Sequence, residues 1–294
     1  MRLAAIVVHH RNWPDVSDTL RSIDEQTVAP DARIVVDVHS ADGSADAIAE
    51  AHPAWEVVRL DRNLGYAAAV NAALELQAVR SADRMLVCTH EVLLDKGAVE
   101  AMLAAVDSDS TIGAAGPILS RRSDGSLWSA GGGLGRRTAR PWHRQHAPGR
   151  QSPPQQVEWV DGAVVLYRAE ALQRTGPLDE AYFLYYEELD YQCRLRQAGW
   201  RVVAVPDATA SQEPGMVPPY LEARNRVRWL RRAHRWVPLL FAIVEQLFTA
   251  LAVLTSRDRR WESTLRLKGL VHGFTGRLDQ TVALRRSAAS RSSV

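Results

Sequence analysis

The chain has 294 residues, of which 46% are hydrophobic and 24% charged. That is an ordinary globular composition, long enough for one large α/β domain or two small ones. The net charge is only +2 but is unevenly placed: residues 1–223 hold 21 Lys+Arg against 30 Asp+Glu, and residues 224–294 hold 15 against 4. The acidic body and basic tail suit an anionic membrane surface or a polyanionic substrate. No nucleic-acid-binding motif accompanies the charge, so nucleic acid is not an expected partner. The two cysteines, Cys88 and Cys193, have no metal-binding spacing and exclude a disulfide framework.

In chain order, residues 3–8 are a short apolar run that reads as a buried strand. The run is too short for a signal peptide, which with the cysteine usage points to the cytosol. Helical spacing follows at 14–26 through Val16, Leu20 and Ile23. A second strand, 33–38, contains Asp37, and Ser44 or Asp42 is placed to cap the next helix. A strand at 55–60, an alanine-rich helix at 65–79, a strand at 84–88 and a helix at 95–106 complete a repeated strand–helix alternation. Such alternation predicts a doubly wound, mainly parallel sheet flanked by helices. In these sheets a ligand sits at the carboxyl ends of the strands, which directs attention to His9, Arg11, Asp37, Asn63 and residues 89–91, Thr89-His90-Glu91.

Residues 120–156 break the pattern with Gly, Pro, Arg and Ser, and read as a mobile excursion over the site or as a plain insert. Strands at 159–167 and 200–205 resume the alternation. Between them lies LDEAYFLYYEELDYQCRLR at 178–196, where Asp179, Glu180, Glu187, Glu188 and Asp190 are interleaved with Tyr182, Phe183, Tyr185 and Tyr186. Acids among aromatic rings are partly desolvated, which raises a carboxylate's pKa toward the range of a general base. The competing reading is an acidic helix start that favours the helix dipole. The tail then opens as a helix with arginines at 224, 228, 231, 232 and 235, followed by a largely apolar stretch at 237–256 interrupted by Glu245 and Gln246. A central Glu is costly in hydrocarbon, so the stretch is expected to lie in a membrane interface or to pack on the domain. The expected division is a domain over 1–222 and a basic helical region over 223–294 that contacts a membrane or a second copy.

Six segments, in order, carry a resemblance to the family 2 glycosyltransferases of GT-A fold, most nearly the rhamnosyltransferase-like branch. They are IVVHHRN, QTVAPDARIVVDVHSADGS, DRNLGYAAAVNAAL, MLVCTHEVLL, WVDGAVVLYRAEAL and GPLDEAYFLYYEELDYQCRLRQAGWRVVAVPDA. The resemblance implies an inverting transfer of a sugar from a nucleoside diphosphate to a hydroxyl. It implies that Glu188, the second acid of the pair, is the base, with Glu187 and Asp190 in reserve or orienting it. His9, Arg11, Asp37, Asn63, Gly65, Asn71 and Thr89 would bind the nucleotide-sugar donor. Asp37 would accept the imide N–H of uracil or thymine, which favours a UDP- or dTDP-sugar, dTDP-rhamnose among them.

Two places depart from the family pattern. The metal motif reads Thr89-His90-Glu91, so Glu91 is expected to be the principal ligand of a divalent ion, Mn²⁺ or Mg²⁺, with His90 secondary. A downstream histidine of many relatives is replaced in Ser211-Gln212-Glu213, and the arginines at 224–228 would then help neutralise the diphosphate. The acceptor would be a glycan, a lipid-linked sugar or a small molecule, and the location cytoplasmic, peripheral on the inner face of the cell membrane. The alternative is a catalytically silent nucleotide-sugar-binding subunit that scaffolds a partner. A nucleotidyltransferase is disfavoured, because no glycine- and lysine-bearing phosphate loop follows the first strand.

Overall fold

The structure, a computed structural model, describes residues 1–256 and 259–284. Its contacts divide the chain into two compact units. The first comprises residues 1–133, 142–183 and 187–213, and the second residues 134–141, 184–186 and the chain from 214 onward.

The first unit begins with β1 (Leu3–His9), α1 (Val16–Asp24), β2 (Ala32–Asp37), α2 (Ser44–Ala51) and β3 (Glu56–Arg59). It continues with α3 (Tyr66–Leu74), α4 (Gln77–Arg80), β4 (Arg84–Thr89), β5 (Leu93–Leu94), α5 (Ala98–Ser108) and β6 (Ile112–Arg121). β7 (Leu127–Ser129), β8 (Gly132–Leu134), β9 (Pro141–His143) and β10 (Gln155–Val157) occupy the stretch read as an excursion. β11 (Val164–Arg168), α6 (Ala169–Thr175), a 3₁₀ turn (Glu180–Tyr182), α7 (Glu187–Gln197) and β12 (Arg201–Gln212) complete it.

The main sheet runs β10-β12-β6-β11-β4-β1-β2-β3, with β5 beside β12 and β7 beside β6, while β8 and β9 form a separate pair. β4, β1, β2 and β3 are parallel, and β11 lies antiparallel between β4 and β6. All seven residues of β1 are buried, as a strand covered on both faces must be. Successive side chains alternate sides. Ala4, Ile6 and Val8 belong to the core that α3, α6 and α7 cover, whereas Leu3, Ala5 and Val7 belong to the one that α1, α2 and α5 cover.

Several element ends differ from the sequence reading. The helix expected at 65–79 is two helices, α3 and α4, broken at Glu75 and Leu76. The strand expected at 159–167 is confined to β11, because the Asp161 carboxylate accepts the Ala163 N–H at 2.9 Å and turns the chain before it. The strand expected at 200–205 runs on to Gln212, with a register shift between Val205 and Thr209 that lets a long strand bend.

The second unit is helical: α8 (Pro219–Arg232), α9 (Trp236–Leu254), α10 (Arg260–Thr275) and α11 (Gln280–Leu284). α10 approaches α8 closely through Gly269 and Gly273, where a Cβ would come within 2.6 Å of the Tyr220 and Arg224 carbonyl oxygens respectively. The basic face expected on the first tail helix is only partly realised, because Arg224 of that face is buried, as is Arg226 beside it. Each finds an acceptor: Arg224 donates to the Arg277 carbonyl at 2.7 Å, and Arg226 pairs with Glu245 at 2.9 Å.

Candidate active site

The parallel strands end level with one another. In the ladder His9 faces Asp37, Val8 faces Thr89, and Asp37 faces Arg59, so the polar residues after the apolar runs collect on one edge. His9 is fully buried, with Nε2 2.9 Å from Ser44 Oγ and 3.9 Å from Asp37 Oδ1. Asp37 accepts the Ser40 hydroxyl on one oxygen and the Ser40 N–H at 3.2 Å on the other. Arg11, with φ 49°, donates its N–H to Ser40 Oγ at 3.0 Å and its Nε–H to the Ser40 carbonyl at 2.8 Å. The left-handed backbone of Arg11, His39 and Ala41 concentrates strain at this edge, as functional loops often do.

Burial lowers the pKa of His10 against the opposing pull of the Val38 carbonyl, 3.0 Å from its Nδ1, so the ring is neutral at pH 7. The Ser44 hydroxyl, bonded to Asp42, holds that carboxyl below its ordinary value.

The acids of α7 approach the same edge through β11. The Thr89 N–H donates to the Ala163 carbonyl at 3.0 Å, and Gly162 stands next in the chain. The Glu188 stem packs on Gly162 so tightly that a Cβ there would lie 3.1 Å from Glu188 Cβ and Cγ. Tyr66 donates its hydroxyl to the Gly162 carbonyl at 3.1 Å. Burial pushes the phenols of Tyr66 and Tyr167 far up, and the nearby negative Glu187 and Glu188 add to it. Thr89 Oγ1 is buried without a hydrogen-bond partner among the described residues.

The expected residues divide by what they touch. Glu188 is partly exposed and Glu187 buried. Asp190 is buried and committed: Tyr182 donates to it at 3.3 Å and Arg194 pairs with it at 3.0 Å. Asn71 joins chain segments, donating to the Leu178 carbonyl at 3.0 Å and accepting the Leu178 N–H at 3.0 Å. Asn63 accepts the Gly65 N–H at 3.0 Å. Gly65, at φ 89°, lies so close that a Cβ would overlap the Phe183 carbonyl, the same group that accepts the Tyr66 N–H at 2.8 Å. Asn63, Gly65 and Asn71 therefore tie the start of α3 to the acidic segment.

The fit to a metal ion rests on Glu91. His90 faces the end of β1, its Nδ1 3.2 Å from both the His10 N–H and the Val8 carbonyl, and its ring 5.6 Å from that of His9. Among the described residues no group of three or more His, Cys, Asp or Glu is placed to hold an ion. Glu91 by its residue type offers one carboxylate. That donor set fits Mg²⁺ or Mn²⁺ taken up with a substrate whose phosphate oxygens and waters complete the coordination. Arg224 and Arg226, expected near a diphosphate, have their guanidinium groups engaged by Asn225 and Arg277 and by Glu245.

Sequence reasoning passed over Ser40, Gly162 and Tyr66 at this edge and, in the second unit, Asn225. Ser40 stands within the HSADGS string and Gly162 within WVDG, short polar or glycine signals that could have drawn attention. Asn225 offered no local signal inside a run of arginines. In the second unit it is fully buried and donates to the Leu184 and Tyr185 carbonyls, both at 2.9 Å. Tyr185 and Tyr186 have φ of 67° and 74°, strained values for aromatic residues, and α7 begins at the next residue.

Comparison with known proteins adds an independent line. A family model described as "Glycosyltransferase like family 2" matches residues 2–237. The N-acetylglucosaminyl-diphospho-decaprenol L-rhamnosyltransferase of Mycobacterium tuberculosis is 29% identical over 228 residues, covering 70% of this chain and 74% of that enzyme. Among solved structures, GalNAc-T7 with UDP, GalNAc and Mn²⁺ aligns with a TM-score of 0.64 at 14% identity, over 79% of this chain and 48% of that one. The mannosyltransferase PcManGT of Pyrobaculum calidifontis with GDP-Man and Mn²⁺ aligns with a TM-score of 0.59 at 18% identity, over 98% and 79%. S. aureus TarS 1–349 with UDP-GlcNAc does so with a TM-score of 0.59 at 14% identity, over 96% and 83%. At these identities the structural matches speak for the fold alone.

The clamp on Leu184 and Tyr185 is open to a direct test. Asn225→Ala removes the amide that donates to two carbonyls and the oxygen that accepts from one Arg224 N–H. The urea midpoint should fall at unchanged slope, by the equivalent of about 1–3 kcal/mol. An unchanged midpoint would show that the clamp contributes nothing.

Proposed function

The chain belongs to the glycosyltransferase-like family 2, and from that premise we propose that it transfers a sugar, with inversion, from a UDP- or dTDP-sugar to the hydroxyl of a lipid-linked acceptor. L-Rhamnose is the sugar this reading favours, since a relative at 29% identity is a rhamnosyltransferase whose name carries a decaprenol-linked acceptor. Such an acceptor sits at a bilayer, which favours a peripheral location on the cytoplasmic face. The observation that carries the reading is the juxtaposition at Gly162: the Glu188 stem packs on it, and the strand end bearing Thr89 is bonded to its neighbour Ala163.

In the proposed reaction Glu188 takes the proton of the acceptor hydroxyl, and the oxygen attacks the anomeric carbon from the face opposite the nucleotide. The bond from that carbon to the diphosphate oxygen breaks, and the electron pair leaves with the nucleoside diphosphate. Glu187 and Asp190 are orienting groups, Asp190 through its bonds to Arg194 and Tyr182. Asp37 keeps acceptor capacity beyond its two bonds to Ser40, since a carboxylate offers about four lone-pair sites, and a nucleobase imide N–H suits it. His9 and Arg11 hold the loop that presents Asp37. Glu91 would hold a divalent ion, with His90 beside it, and that ion when bound would supply positive charge to the departing diphosphate.

Glu188→Gln keeps shape and removes basicity. Transfer should fall by about 10²–10⁴-fold, the usual worth of a general base, with donor affinity retained. Near wild-type turnover, or loss of donor binding as well, would overturn the assignment. Gly162→Ala removes no carboxylate but forces the Glu188 stem to shift by a few tenths of an ångström. It should lower kcat by up to about tenfold, less than the ~10²-fold of a 1 Å misplacement. If kcat is unchanged, Glu188 does not need its present position.

Glu91→Ala should weaken donor binding in the presence of Mn²⁺ and change it little without metal, as read by calorimetry. Equal donor affinity of wild type and variant with Mn²⁺ present would remove Glu91 from the ion's coordination.

A further inference from the structure

α9 is apolar over most of its circumference, and the second unit covers only one side of it. Leu239, Ala242, Gln246, Ala250 and Val253 are buried, at the helical spacing of a single stripe. On the other side Leu240, Phe241, Val244, Leu247, Phe248 and Leu251 are exposed, Phe248 by 72% and Leu251 by 65%. Scattered apolar residues on a surface are unremarkable, but a continuous stripe along a helix of 19 residues is an interaction surface.

The two polar residues that interrupt α9 in the sequence are turned away from this stripe. Glu245 accepts from Arg226 at 2.9 Å and from Arg140 at 3.1 Å, and buried Gln246 accepts from Arg266 at 2.7 Å. Among residues 236–254 Glu245 is the single charged residue, so the exposed stripe carries no charge. Basic and aromatic residues mark its ends: Arg232, Arg235 and Trp236 at the start, and past the finish exposed Arg260 and Arg259, the latter paired with Glu262 at 2.7 Å. α10, packed beside α9, exposes Leu267, Val271 and Phe274.

By length and composition α9 could cross a bilayer. Crossing would carry the Glu245–Arg226 pair and the Gln246–Arg266 bond into hydrocarbon or break them, and either is costly. A helix with one apolar side outward, polar groups anchored inward and arginines at its ends is built to lie in the plane of a membrane interface.

We propose that the exposed stripe of α9 seats in the interface of an anionic bilayer, parallel to its plane, and that the flanking arginines meet the lipid phosphates. The occupant is lipid rather than a second copy because the net charge flanking both ends is positive, three arginines against Asp258 and Glu262 at the far end, which complements an anionic surface and would repel itself across a symmetric dimer. The +11 of residues 224–294 acts in the same direction. The proposal gives a peripheral location a physical basis but stands apart from the sugar chemistry, since vesicle binding is read without a donor.

The test uses the full chain and vesicles of phosphatidylcholine with and without about a third phosphatidylglycerol, at low and high salt. Wild type should co-sediment with the anionic vesicles and be released at least several-fold by high salt or by omitting the anionic lipid. Leu240→Glu with Phe248→Glu, both at exposed positions that leave the folded unit intact by circular dichroism, should reduce partitioning at least tenfold. The same variant should retain transfer to a water-soluble acceptor, which separates lost docking from lost catalysis. Equal sedimentation of variant and wild type overturns the proposal. So does retention in membranes after alkaline carbonate washing, which would mean a spanning helix. Absence of vesicle binding together with a dimer that the double substitution dissociates would assign the stripe to a second copy instead.

Discussion

Everything at the site depends on one reversal of strand direction. β4, β1, β2 and β3 run parallel and bring their carboxyl ends to one edge, but β11 enters beside β4 antiparallel, with Val164 opposite Cys88. Its first residues therefore lie where its neighbour's last ones do. That is why Gly162 and Ala163 reach Thr89, and why the acids of α7 can stand near the polar strand ends. A parallel β11 would have put the WVDG turn at the far edge of the sheet, roughly 16 Å away for a strand of five residues at about 3.3 Å each.

Around that juxtaposition the chain uses backbone acceptors where a ligand-binding residue was expected. Asn71 holds Leu178, and Tyr66 holds both the Phe183 and the Gly162 carbonyls. Gly65 leaves room for Phe183. The residues of the DRNLGYAAAVN block thus act largely as struts between α3 and the acidic segment. Rigid support of this kind is what holds a reacting carboxylate to within fractions of an ångström, and positioning is a large share of catalytic power.

The helical unit shows the same economy with charge. Arg224, Arg226 and Arg266 are buried, which costs several kcal/mol per ion unless partners compensate. Glu245, Glu222 and a set of carbonyl and amide oxygens supply that compensation. One consequence is that Glu245, an obstacle to a spanning helix when read along the chain, is neutralised from within. The outward side of α9 is left apolar and the remaining arginines lie at its ends.

Much of this protein is legible in its residues. The alternation of apolar runs with helical spacing, the polar residues that end each strand and the six ordered motifs determine the sheet, its two helical faces and the family. These signals are local: a strand's burial or a helix's stripe is written in residues a few positions apart. The roles of particular side chains are not local. Asn71 meets Leu178, Thr89 meets Ala163, Gly65 meets Phe183, and Asn225 meets Tyr185, all across long stretches of chain. The same holds for the break between α3 and α4, for Arg224 turning inward and for the glycines that seat α10 on α8. Periodicity states which side of an element is apolar; only the packed structure decides which neighbour covers it and which polar group is already spoken for. Tertiary hydrogen bonding, and not composition, made struts of Asn71 and Asp190.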